Sequence, residues 1–297
     1  MRFEDSTLTG EYTSVAVDKR VGSGTHWETF VGQTAADKSV VVRRPLDSVD
    51  PGSYDRLTDL ARQWQQIADR ESTHTIVDWG TEPEPWVAVD TPADVDQFAT
   101  GESITAVAAC DPRTKAELIG QVCDIVRTYS RYGSTPHHLA IHPESVTFQR
   151  MGDDPLAIVS DWGISRLVDN PPVTPYTAPE QLSGDGHASK RTDVYRLGML
   201  AAHAFGGDPL IPSDEADLSG TIAAGITAPE VAEAVPEAVA TPISRAIAVD
   251  PADRHATMYQ LRRDLLGAVS TSADRTVAPL AVAGDTSDQT DTDASTD

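Results

Sequence analysis

Cysteine, lysine and long apolar runs are all scarce in this chain of 297 residues. The two cysteines, Cys110 and Cys123, are too few for a zinc cluster or a disulfide framework, and their expected place is on helices as small apolar side chains. No run approaches the roughly 18 apolar residues of a membrane span, and the amino terminus lacks the basic-then-apolar build of a signal peptide. The expectation is a soluble, cytoplasmic protein with no membrane partner. Lysine contributes only Lys19, Lys38, Lys115 and Lys190 to 23 basic residues, against 46 acidic ones, for a net charge of −23. A surface of that sign repels nucleic acid as well as anionic lipid. Removing the tail acids Asp274, Asp285, Asp288, Asp291, Asp293 and Asp297 leaves a large excess, so the acidity belongs to the folded surface. It is the composition of salt-adapted proteins such as those of halophilic archaea, in which concentrated salt screens self-repulsion.

What is present is enough apolar content, 39%, to build one large domain or two lobes around a shared cleft. Apolar alternation in "YTSVAVDKRVGSG", "ETFVGQT" and "SVVVRRP" predicts three short strands, and a helical period follows from Tyr54 to about Arg70. From about Arg113 the pattern turns helical, with Leu118, Val122, Ile125 and Val126 on one face. Further helices are predicted over Asp193–Phe205, Pro229–Ala234 and Thr257–Val269. Residues 270–297 hold Asp, Ser, Thr and Ala with little apolar periodicity, which predicts a disordered acidic tail.

Gly22 and Gly24, in "RVGSGTHWETF", lie between two of these predicted strands and suit a hairpin that covers phosphate. Two glycines alone signify only a turn. The series that follows them is more specific: "SVVVRRP", "HHLAIHPESVTF", "SDWG", "YTAPEQL", "DVYRLG" and "DPADRHAT". In order and spacing it resembles the protein kinase family, its serine/threonine branch in particular, over roughly residues 10–268. The family's D-F-G and A-P-E motifs appear as Asp161-Trp162-Gly163 and Ala178-Pro179-Glu180. Asp193 looks like the family's central-helix aspartate, and Arg254 like the arginine that pairs with the A-P-E glutamate. The resemblance implies an α+β, bilobal protein kinase-like fold, with a small β-rich N-terminal lobe over about 10–91 and a larger, mainly helical C-terminal lobe over about 92–268. The cleft between them would hold Gly22, Gly24, Arg43 and Asp161.

The same alignment removes much of the chemistry. In the family's H-R-D-L-x-x-x-N loop the Asp accepts the substrate hydroxyl proton and the Asn helps to bind magnesium. Here His138 stands at the His, Ala140 at the general-base Asp and Ser145 at the Asn, so no catalytic base is expected. His142 falls at the phosphate-contacting Lys of the serine/threonine branch. The V-A-I-K lysine becomes Arg43, with Arg44 as the shifted alternative, which keeps charge but not geometry. Its glutamate partner is replaced by Gln63, Trp64 or Gln65, while Trp27, Val41 and Thr147 narrow or polarise the adenine slot. Thr174 lies two residues before Tyr176, where the family's threonine lies three before.

Asp161 is kept, and its family counterpart ligates the magnesium that bridges the phosphates. The resemblance therefore leaves Mg-ATP binding open through Gly22, Gly24, Arg43, Ser145 and Asp161, with Asp161 as the metal ligand; a retained turn or cap is its alternative role. His137, His138 and His142 suggest a metal site, His138 and His142 being four apart, but Pro143 argues against a helix presenting both. Trp162 is expected in the core. Three functions fit: a pseudokinase working through a protein partner with ATP and magnesium as an optional gate, an atypical Ser/Thr kinase acting on a protein substrate with Asp161, Glu144 or Arg43 substituting for the lost groups, or a nucleotide-free interaction module. The first accounts for most of the substitutions.

Overall fold

A computed structural model describes residues 3–46, 52–67, 73–90, 103–132, 137–151, 154–164, 172–182 and 188–270. The expected lobe junction near residue 91 and nearly all of the acidic tail lie outside the described residues.

The N-terminal part is built on one antiparallel sheet of strands β1 (Thr7–Thr9), β2 (Ser14–Ser23), β3 (Trp27–Thr34), β4 (Ser39–Pro45), β5 (Ile76–Gly80) and β6 (Trp86–Asp90). Their spatial order is β1-β2-β3-β4-β6-β5. β2, β3 and β4 fall on the three segments whose alternation predicts strands. Helix α1 (Gly52–Ile67) follows β4, and Leu57, Leu60, Ala61 and Trp64 are its buried residues in the main core. Because successive strand residues face opposite sides, β4 sends Val40 and Val42 to a small outer cluster with Phe3, Leu8 and Phe30, and Val41 to the main core. Arg43 shares the face of Val41 by the same alternation. Ahead of residue 10, β1 pairs with β2 and Phe3 packs on Phe30 at 4.8 Å.

The C-terminal part holds α2 (Ser103–Ala108), α3 (Pro112–Tyr132), the hairpin β7 (Val146–Met151) and β8 (Asp154–Val159), and helices α4 (Pro179–Leu182), α5 (Lys190–Gly206), α6 (Leu218–Ala224), α7 (Ala228–Ala234), α8 (Glu237–Ala246) and α9 (Met258–Ser270). α5 is the hub, with every residue from Thr192 to Phe205 buried. Its start is fixed by a capping box in which Ser189 accepts from the Arg191 amide and the Thr192 side chain answers. Around it lie α3, α8 and α9, and α3 buries the predicted apolar face of Leu118, Val122, Ile125 and Val126. Cys123 is buried on α3, where burial pushes its thiol up to about 12. Cys110 is also buried but lies past the end of α2 rather than on a helix, its amide bonded back to Val107 in a closing turn. No helix among the described residues is long and apolar enough to cross a membrane.

Two charged contacts hold the helical part together. Glu180 takes a forked pair of bonds, both 2.7 Å, from Arg254, which also donates to the carbonyls of Ala248, Arg191 and Val249 and lies 4.8 Å over the Tyr195 ring. Asp193 accepts from the amides of His138 (2.9 Å) and Leu139 (2.7 Å) and so anchors the following loop to the hub helix. The first pair is one that the sequence predicts. Arg254→Ala would leave Glu180 half-buried without its fork, with an expected loss of about 3–5 kcal/mol. A denaturant melt of the variant against the wild type checks this.

Candidate functional site

Between the two parts, the loop from His138 to Ser145 meets the β2–β3 turn and the Asp161 segment. The loop is internally satisfied. His138 bonds through Nε2 to the Ser160 carbonyl at 2.7 Å, and its Nδ1 accepts from the Ala140 amide at 3.3 Å. Its ring packs 4.5 Å from Trp162, which donates to the Val159 carbonyl and is buried as expected. His142 uses Nδ1 to accept from the Glu144 amide at 3.2 Å, which leaves the neutral ring's proton on Nε2. Ser145 Oγ donates to the His142 carbonyl and accepts from its amide. His138 thus spends both ring nitrogens and His142 its Nδ1 within this region, and no cluster of three potential metal ligands occurs among the described residues.

Ala140, which the motif alignment sets at the general-base position, is buried. Bracing the loop beside it is Arg196 of α5, itself buried, which donates to the Ile141 carbonyl (3.2 Å) and to Gln181 (2.8 Å), while Gln181 donates to the Leu139 carbonyl. Burial pulls the Arg196 guanidinium down to about 10. Thr174, in the segment before A-P-E, is tied into its own turn, its amide donating to Thr177 at 2.9 Å.

Asp161 does not face an open cleft. It adopts a left-handed backbone, φ 64°, and is 1% exposed. Its Oδ1 accepts from the Arg43 guanidinium and from Trp27 Nε1 at 3.1 Å, both from the opposite lobe. Burial pushes the Asp161 carboxyl up and Arg43 pulls it back; burial likewise lowers Arg43, and Asp161 restores it. The alternative lysine replacement, Arg44, points to the other face, where it pairs with Glu28 and Glu84. On α1 the inward side chain is the buried Trp64, so no carboxylate is offered from that position; the Gln63 side chain lies outside the described residues.

The glycine turn closes as well. Glu144 Oε2 accepts from the Thr25 amide at 2.6 Å and Oε1 from the Thr25 hydroxyl at 3.2 Å, across 119 positions of sequence. A Cβ on Gly24 would fall on that carboxylate, so glycine is what permits the approach. Gly22, in contrast, is a strand residue of β2 opposite Thr29, beside a register shift. Next to this contact the His26 and His142 rings lie 5.2 Å apart. Val41 and Thr147 are buried behind it.

The expected magnesium does not fit this arrangement. Magnesium takes about six oxygens in octahedral geometry, whereas the one carboxylate at the expected position is bound to a guanidinium and an indole, and the Ser145 hydroxyl is spent within its loop. The geometry thus brings Arg43 and Asp161 together, puts Gly24 on Glu144 and leaves Gly22 in a strand. His26 and Arg196 are the site residues that sequence reasoning did not weigh; Glu144 entered it as a stand-in for a lost catalytic group, not as the partner of the glycine turn. Arg196 carried a signal, a charged residue inside the otherwise core-like "DVYRLG"; His26 carried none.

Solved structures with the same architecture are kinase domains. A double mutant of the Mycobacterium tuberculosis PknI kinase domain superposes with a TM-score of 0.67 at 18% identity, over 90% of this chain and 99% of that one. The PknI kinase domain in another crystal structure gives 0.64 at 18% identity, over 88% and 98%. No family model and no curated protein matches the sequence. At this identity the likeness is one of fold, and the fold is the bilobal, α+β kinase-like one that the motifs predict.

Asp161→Ala would strand the buried Arg43 charge and cost about 3–5 kcal/mol, whereas replacing both by apolar residues, Arg43→Met with Asp161→Leu, would cost clearly less than the two single changes summed. A double-mutant cycle by denaturant melts measures the difference. A second expectation concerns acid. Burial, aided by Arg196 and Arg43, lowers His26 to about 4; burial lowers His138 and His74 to about 3, and His142 falls well below its usual value. Below about pH 6.5 the unfolded chain takes up protons that the folded one refuses, so stability falls as pH drops from 6.5 towards 4, by up to about 1.4 kcal/mol per pH unit for each histidine. Melting profiles across that range test the slope.

Proposed function

We propose that this protein is a pseudokinase, a kinase-fold module that acts by binding a protein partner and holds its own cleft shut without nucleotide. The observation that carries this is the Arg43–Asp161–Trp27 clamp: the residue that would ligate magnesium is bound across the cleft by the residue that replaces the phosphate-contacting lysine. Ala140 supports it, since no carboxylate stands where a substrate hydroxyl would lose its proton. Removal of a general base alone costs about 10²–10⁴-fold in rate, and here the metal ligand is engaged as well. The likeness to kinase domains supports a scaffold derived from that chemistry. A net charge of −23 favours a partner other than nucleic acid. Because closure rests on the chain's own contacts, a partner that binds closed and open arrangements unequally shifts their populations by its differential affinity.

Thermal melting in molar potassium chloride with millimolar ATP and magnesium tests this, because a ligand that binds only the folded state raises its stability by mass action. The expected change in Tm is below about 1 °C, with no transfer of labelled γ-phosphate to generic protein substrates. A magnesium-dependent rise of several degrees, or labelled product, would overturn the proposal.

A further inference from the structure

Acids outnumber bases 46 to 23 in the chain, yet one face of the helical part reverses that balance. Over residues 118–132 of α3 and the whole of α9, Arg127, Arg131, Arg262 and Arg263 stand against only Asp124 and Asp264. Each of these acids is shared between arginines. Asp124 meets Arg262 Nε at 3.0 Å and Arg127 at 3.4 Å, while Asp264 meets Arg263 at 2.6 Å, His255 at 3.2 Å and Arg245 of α8 at 3.9 Å. A positive surplus is left at both. The Arg262 stem lies against Gly120 of α3, where an added Cβ would come within 3.2 Å of it, and its terminal nitrogens make no bond among the described residues. Exposed Arg245 is only loosely held. The solvent stripe of α9 runs through Tyr259, Arg263 and Gly267, spaced four apart on one face. Tyr259 is 52% exposed, an uncommon setting for a large aromatic side chain in this protein. Glycine weakens a helix interior, and a Cβ on Gly267 would meet nothing within 4 Å, so the packing of the chain does not require it.

We propose that this face, from Tyr259 to Gly267 of α9 with Arg127 and Arg245 beside it, is a docking surface for an acidic segment of a partner protein. The proposal rests on the reading of the chain as a partner-binding module, and it deepens that reading by naming the partner's chemistry. A tyrosine set among arginines is the composition that carries binding energy at protein interfaces. Guanidinium forks take carboxylates through two parallel bonds, and the packed stem of Arg262 lowers the cost of ordering it. Gly267 lets a partner's backbone come close to the helix. The net charge of −23 does not oppose such contact: in molar salt the screening length is about 3 Å, so a docked segment feels these arginines and not the distant acids. A nucleic acid extends beyond the patch and meets the acidic surface around it.

The probe is a short, fluorescently labelled peptide of Asp, Glu, Ser and Gly, with its Asn and Gln counterpart as the neutral control. Both are titrated by anisotropy into the full chain in molar potassium chloride. The wild type is expected to bind the acidic peptide at least about tenfold more tightly than the neutral one. Arg262→Gln with Arg263→Gln should remove that preference, whereas the charge-matched Lys19→Gln with Lys38→Gln, at exposed positions of the sheet lobe, should keep it. Gly267→Gln leaves every charge in place and fills the notch; it should weaken the peptide while melting no lower than the wild type, and it decides the matter alone if the arginine variant does not fold. Equal affinity for the two peptides overturns the proposal, as does an equal loss in the lysine variant or no loss in Gly267→Gln. Binding seen only after Asp285, Asp288, Asp291, Asp293 and Asp297 are changed to Asn would make the chain's own acidic segment the occupant, and a tighter hold on a DNA oligonucleotide would make the patch a general polyanion surface; either result also overturns it. Magnesium-dependent ATP binding would instead defeat the pseudokinase proposal whatever the peptide does, so the two failures are separable.

Discussion

The cleft is organised by one buried ion pair, Arg43 with Asp161. Taking a guanidinium and a carboxylate out of water costs several kcal/mol per ion, which is offset only by good geometry and by further bonds to the remaining polar atoms. Trp27 supplies one such bond to Asp161, and this ties the first residue of β3 to the segment after β8. The neighbouring substitutions are consistent with that pair. With Arg43 partnered across the cleft, α1 has no need of a carboxylate facing the sheet, and Trp64 fills the space as core. With Asp161 held by a cation from the protein, Ser145 is released to close its own loop.

On the helical side the loop is held by the chain's own groups. Asp193 still accepts the amides of His138 and Leu139, and the Leu139 backbone is left-handed at φ 62°, so the loop keeps its turn without an aspartate at Ala140. Arg196 adds a brace from α5 to the Ile141 carbonyl. A buried polar network of this kind stabilises only when each member is satisfied. Here the same loop residues that could serve substrate are consumed in satisfying one another.

The legible parts of the fold were those with long periodicity or several fixed partners. The α3, α5 and α9 helices, the three central strands, the Glu180–Arg254 pair and the inward arginine at position 43 all follow from motif order or apolar spacing. Short or two-sided elements did not. β5 and β6 are buried on both faces, so "IVDWG" and "WVAVD" show no clean alternation, and α2, α4 and α6 are too short for a helical period to develop. The site escaped for a different reason. Its decisive contacts join residues 118 and 119 positions apart, Arg43 to Asp161 and Thr25 to Glu144, and nothing local marks either carboxylate as already taken.

The two interlobe contacts differ in their exposure to solvent, and that sets how the cleft can open. Arg43 and Asp161 are almost wholly buried, whereas the Thr25–Glu144 bonds are only partly so. Salt screens charges that solvent reaches and leaves dry pairs largely unaffected. Concentrated salt therefore weakens the outer contact more than the inner one. Breaking the outer contact returns Glu144 to water, where a carboxylate is well solvated; breaking the inner one leaves two charges to be rehydrated together with the Trp27 indole. Of the two interlobe contacts, the one at the glycine turn therefore costs less to break than the Arg43–Asp161 pair.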